Sequence, residues 1–124
     1  MFTTSYLAGG RLDPPFYPTK TKPFVPGFIM DSASFTTEEF KYTLPADMEF
    51  YAISVSCSVY ELDDKWDLLV NGEYFCKNIY TKKLPEGMHF MVYEQLTAGD
   101  EIIFRFYNQG IIDKTIWFEL HCLK

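Results

Sequence analysis

Between Ile53 and Val59 the chain alternates without a break: Ile53, Val55, Cys57 and Val59 are apolar, and Ser54, Ser56 and Ser58 between them carry hydroxyls. Successive side chains of a strand point to opposite faces, so this period of two predicts a half-buried strand with a hydroxyl ladder on its other side. The chain from Asp31 onward repeats the theme. Phe35 to Leu44 reads as a strand closed by Pro45-Ala46-Asp47, and Trp66 to Val70 and Tyr74 to Tyr80 flank Asn71-Gly72. Asn-Gly is the favoured pair for a tight type I′ hairpin turn, because both central residues need positive φ. Leu84-Pro85-Glu86-Gly87 turns into a strand from Met88 to Gln95, and Ala98-Gly99-Asp100 into one from Glu101 to Tyr107. After Asn108-Gln109-Gly110 the last strand runs from about Thr115 to Leu123, with Ile116, Phe118, Leu120 and Cys122 on one side and Trp117, Glu119 and His121 on the other. Short strands at such regular spacing, with no segment of helical period, predict an all-β, antiparallel β-sandwich or small barrel.

The first thirty residues obey different rules. Five of the seven prolines lie between Pro14 and Pro26, each removing a backbone donor and fixing one dihedral. The expectation is an extended N-terminal arm over residues 1–30, partly polyproline II, ahead of a sandwich domain over 31–124. Yet the arm carries Phe2, Tyr6, Phe16, Tyr17, Phe24 and Phe28, more apolar bulk than a solvated linker shows. Something should bury these side chains, and a Trp on the outward side of the last strand, Trp117, also asks to be covered. These seven residues are the expected partner contacts.

Charge narrows the choice of partner. The net charge is -6, and residues 1–30 carry Arg11, Lys20 and Lys22 against Asp13, a sum of +2 that leaves -8 on the rest. A domain so acidic repels phosphate backbones and anionic lipid, so neither nucleic acid nor membrane is an expected partner. The start of the chain has neither the basic opening nor the apolar run of a secretory signal, and no apolar stretch reaches the roughly 20 residues of a membrane helix. The expected origin is therefore a reducing cytoplasm, where Cys57, Cys76 and Cys122, an odd number without close pairing, serve as small buried hydrophobes.

Catalytic chemistry finds little support. His89 and His121 alternate with apolar neighbours on different strands, and paired across a sheet with Glu119 they would make a sparse metal site. A Ser-His-Asp set drawn from Ser54, Ser56 or Ser58 lacks the sharp turn that presents a nucleophile. Glu61, Asp63, Asp64 and Asp67 read as a solvated acidic turn. No metal, cofactor or enzymatic activity is expected.

The stretch from Leu84 to Gly110, LPEGMHFMVYEQLTAGDEIIFRFYNQG, followed by Thr115 to Leu120, TIWFEL, resembles the closing strands of jelly-roll domains. It is similar to that segment in trimeric C1q/TNF-like domains and in small β-sandwich accessory proteins of tailed-phage virions. A C1q/TNF-like protein would normally bring an export signal or a collagen-like stalk, so the phage type fits better. The resemblance implies a jelly-roll-like structural protein of the virion, made in the host cytoplasm. It would decorate a capsid or belong to a tail or fibre, docking through its arm on other virion proteins and copies of itself. The competing reading is a carbohydrate- or receptor-binding module, with Trp66, Trp117, nearby tyrosines and the Asp63 to Asp67 loop contacting a cell-surface glycan.

Overall fold

A computed structural model describes residues 17–82 and 85–124 in full, together with the backbone of residues 5–7 and 10–12. The regular structure described is entirely β. A short hairpin, β1 (Ser5–Leu7) and β2 (Gly10–Leu12), precedes β3 (Pro23–Phe24), β4 (Gly27–Ser32), β5 (Thr37–Thr43), β6 (Met48–Cys57), β7 (Lys65–Val70), β8 (Glu73–Tyr80), β9 (Glu86–Leu96), β10 (Glu101–Tyr107) and β11 (Lys114–Leu123).

Two antiparallel sheets face each other, one ordered β5-β10-β7-β8 and the other β4-β11-β6-β9, with β3 beside β4 on the same edge of β11. The pairs β4/β11, β5/β10, β6/β9 and β7/β8 nest inside one another. The eight strands are thus one long antiparallel ribbon doubled back on itself at the β7–β8 hairpin, which is the jelly-roll arrangement. At the fold-back the expected turn is present, with Asn71 at φ 50° and Gly72 at φ 82°.

Alternation sorts the side chains. On β11 Ile116, Phe118, Leu120 and Cys122 are buried, and on β10 Ile102, Phe104 and Phe106. Phe104 and Phe118 stack across the two sheets with centroids 4.3 Å apart and planes 17° apart. Trp66 joins this core from β7, which removes it from any sugar-binding platform. The three cysteines are free and buried, as expected of small hydrophobes.

β6 begins five residues before the alternating stretch, and its register against β9 shifts between Phe50 and Ala52 while that of β11 against β6 shifts between His121 and Cys122. The bulge at Tyr51 puts Ala52 and Ile53 both in buried positions and breaks the period that marks the rest of the strand.

Candidate partner-binding surface

The latter half of the expected arm is part of the sheet. β4 runs across the expected boundary at residue 30, and Met30 lies in the core. Phe24 stands opposite Cys122 and Gly27 opposite Glu119, so the register continues through the gap at Val25-Pro26. Pro26 lacks an N–H, but its carbonyl still accepts the N–H of Leu120 at 3.1 Å. Lys22 and Lys124 exchange backbone hydrogen bonds at the far end.

One step earlier, the buried carboxylate of Glu49 on β6 holds the chain. It accepts the N–H of Thr19 at 3.0 Å, the N–H of Lys20 at 2.7 Å and the Thr19 hydroxyl at 3.0 Å. Gln95 of β9 donates to it from the other side. Burial alone would raise the carboxyl pKa, but the bonds from Gln95, Lys20 and Thr19 to the charged form outweigh it, and the net shift is downward. Nothing in the alternation singled out Glu49. The available signal was a carboxylate set between Met48 and Phe50, where an unpartnered charge is costly to bury.

Phe28, named as a partner contact, packs instead against Phe40, Tyr42 and Phe118 at centroid separations of 4.9 to 5.0 Å. Phe24 packs against the core with Lys124 Nζ 4.3 Å from its ring centre. Tyr17 is half-buried. Tyr6 pairs with Arg11 in the β1–β2 ladder, and Phe2 and Phe16 lie outside the described residues.

Trp117 is 40% exposed, and β4 lies beside its strand instead of over its ring. Its register partner is Ile29, 61% exposed. With Gly27, Phe28 and Glu119 they line an open depression of about 340 Å³. The N-terminal segment therefore helps to build an apolar ledge on the outer face of the sheet. Ile29 escaped the sequence reading because its partner strand could not be known.

Further along that face, Tyr51 stands among His89, Tyr93 and His121, with ring centroids 5.4 to 6.3 Å away. Ser54 Oγ lies 2.8 Å from His121 Nε2, so one imagined serine–histidine pair does form. Among the described residues no carboxylate hydrogen-bonds the other ring nitrogen of His121, and the pair lacks the orienting group of a hydrolytic triad. Nor, among the described residues, do three or more His, Cys, Asp or Glu side chains converge as metal ligands.

The acidic turn is only partly solvated, a correction to its reading as a surface charge cluster. Asp64 and Asp67 are buried. Asp64 pairs with the fully buried Lys114 Nζ, which Glu61 also meets at 2.7 Å, and accepts the N–H of Gln109 at 2.8 Å. Burial would lower the Lys114 pKa, but the bonds to Asp64 and Glu61 outweigh it and raise it. Asp67 accepts the N–H of Asn78 and the hydroxyl of Tyr107, so neither carboxylate is free for a sugar or a calcium ion.

Residues 20–124 match a family described as a domain of unknown function, DUF8551. The chain belongs to the DUF8551 family. The matched region of this DUF8551 chain starts at Lys20, beside the Glu49 contact, and includes every strand of both sheets. No curated protein matches the chain in sequence.

Proposed function

We propose that this DUF8551 chain is a non-enzymatic structural protein of a bacteriophage virion, a decoration, tail or fibre component that associates with other virion proteins and with copies of itself. The observation that carries the assembly reading is the ledge of Trp117 and Ile29. It presents an exposed tryptophan, a residue type enriched where interfaces concentrate their energy, on the outer sheet face beside an open depression. The jelly-roll topology and the aromatic segment ahead of the Glu49 contact favour the same reading. The phage setting itself rests on the resemblance of Leu84 to Gly110 and Thr115 to Leu120.

Two measurements test it. Mass spectrometry of purified particles of the phage encoding the chain should find it at stoichiometric level, and its absence refutes the virion assignment. Removing residues 1–16, which leaves β3, β4 and the Glu49 contact in place, or changing Trp117→Ala with Ile29→Ala, should yield a folded protein that no longer joins the particle.

The exposed Trp117 ring beside a depression also suits a saccharide, since sugar rings stack on aromatic faces. Glycan-array binding by the purified chain, lost in Trp117→Ala, would favour that reading over assembly.

A further inference from the structure

Lys114 opens β11 in one sheet and Asp64 stands one residue before β7 in the other, so their contact ties the two layers at one end of the sandwich. The two side chains are 0% and 1% exposed. A buried ion pair seldom holds a fold better than apolar side chains of the same size, because each charge gives up its hydration. The groups around this pair suit a reaction between its members.

Asp64 is fixed through both its backbone and its side chain. Thr81 donates its N–H to the Asp64 carbonyl at 2.9 Å, and Gln109 its N–H to Asp64 Oδ1 at 2.8 Å. The other carboxylate oxygen, Oδ2, meets Lys114 Nζ. A nitrogen hydrogen-bonded to a carboxylate oxygen lies about 3 to 3.5 Å from the carboxyl carbon, the separation of a near-attack geometry. A second carboxylate is at hand, with Glu61 Oε1 2.7 Å from Nζ. Glu61 is lodged against Gly110, where a Cβ would lie 1.9 Å from its carboxylate, and its backbone carbonyl accepts the Thr81 hydroxyl at 3.1 Å. Its side chain is 29% exposed, so it connects the dry pair to solvent.

We propose that Lys114 Nζ and Asp64 Cγ condense into an amide that cross-links the two sheets, with Glu61 carrying the protons. The ion pair is the reactant. Proton transfer within it leaves a neutral amine and a carboxylic acid protonated on Oδ2, a step that a dry interior favours by removing two charges. The amine lone pair then adds to Cγ, the carbonyl electrons move onto Oδ1, and the Gln109 N–H stabilises the oxyanion. Glu61 accepts a proton from the now cationic nitrogen and returns it to Oδ2. As the carbonyl re-forms at Oδ1, the bond from Cγ to Oδ2 breaks and Oδ2 departs as water. One N–C bond is formed, one C–O bond is broken, and nothing is oxidised or reduced.

The product joins positions 50 residues apart through an uncharged group. Such a link would hold the layers together under load, but the inference depends on neither the phage setting nor the assembly reading. The acid–base behaviour of Lys114 and Asp64 belongs to the chain that has not reacted.

Intact-mass measurement on the purified full-length chain, made under denaturing conditions, tests the proposal. The mass should be lower than that of the sequence by one water. Trypsin should then release residues 42–65 and 106–124 as one branched peptide, whose fragments place the link between Asp64 and Lys114. Two variants should keep their full mass: Glu61→Gln, which holds the shape of the side chain and removes the proton acceptor, and Lys114→Arg, which holds the charge and removes the nucleophile. A folded, unchanged chain at its full sequence mass, at isolation and after prolonged incubation, overturns the proposal. So does a link to Glu61 in place of Asp64, or a water loss that persists in Lys114→Arg. A Glu61→Gln chain linked as completely as the unchanged one overturns the role given to Glu61.

Discussion

Glu49 accepts the backbone N–H of Lys20, twenty-nine residues earlier in the chain, at 2.7 Å inside the protein. A buried carboxylate thereby closes the N-terminal segment onto the sandwich with no strand pairing at that point. Glu49→Ala should leave the Thr19 and Lys20 amides unpaired and cost about 2 to 3 kcal/mol, since hydrogen bonds to a charged group are worth roughly 1.5 to 3 kcal/mol. Hydrogen exchange at those two amides should accelerate by more than about tenfold, while the amides of β6 and β11 retain their protection.

The same carboxylate makes stability depend on acid. Its folded pKa lies below the ordinary value of 4.5, so its contribution is complete above about pH 4.5 and is lost as pH falls through the depressed folded value. Urea unfolding should therefore weaken more steeply below pH 4.5 in the unchanged protein than in Glu49→Gln. Equal slopes would show that the carboxylate has no such role.

Lys114 and Asp64 form the other buried charge contact. Lys114→Met should cost about 3 to 5 kcal/mol in denaturant unfolding, because it strands the Asp64 charge in the interior, and adding Asp64→Asn should recover part of the loss. The raised pKa of Lys114 gives stability that is complete below its ordinary 10.5 and disappears as pH rises through the folded value, so unfolding at high alkalinity should begin in this contact.

Gly72 sits at φ 82° with open space where a Cβ would be. Gly72→Ala should therefore cost only the left-handed backbone term, about 1 to 2 kcal/mol, with the hairpin intact by NMR.

Burial pushes the thiols of Cys57 and Cys122 up to about 12 and that of Cys76 up to about 11. At pH 8 none should react with a disulfide reagent in the folded protein, and all three should react once denaturant is added.

Strand positions were legible wherever one face is wet and the other dry. β10 was read at its observed limits, and β7, β8 and β11 within about a residue, because alternation and turn chemistry are local. β4 was missed because it follows Pro26 in a proline-rich segment, and its status as a strand depends on the edge of β11 that it fills. The candidate surface was legible in one residue, Trp117. Its partner Ile29 and the hold at Glu49 join positions 88 and 29 or 30 residues apart, beyond the reach of any local pattern.

The sequence by itself determined the β class, the Asn71-Gly72 turn and the inward row on β11, since each follows from periodicity or from the dihedral preferences of one or two residues. Only the tertiary structure decided where the charges and the N-terminal aromatics belong. A carboxylate is stable inside only where donors converge on it, and the donors for Glu49, Asp64 and Asp67 come from distant strands and loops. Phe28 packs in its own core and Phe35 faces outward for the same reason: in each case, neighbours remote in sequence set the destination.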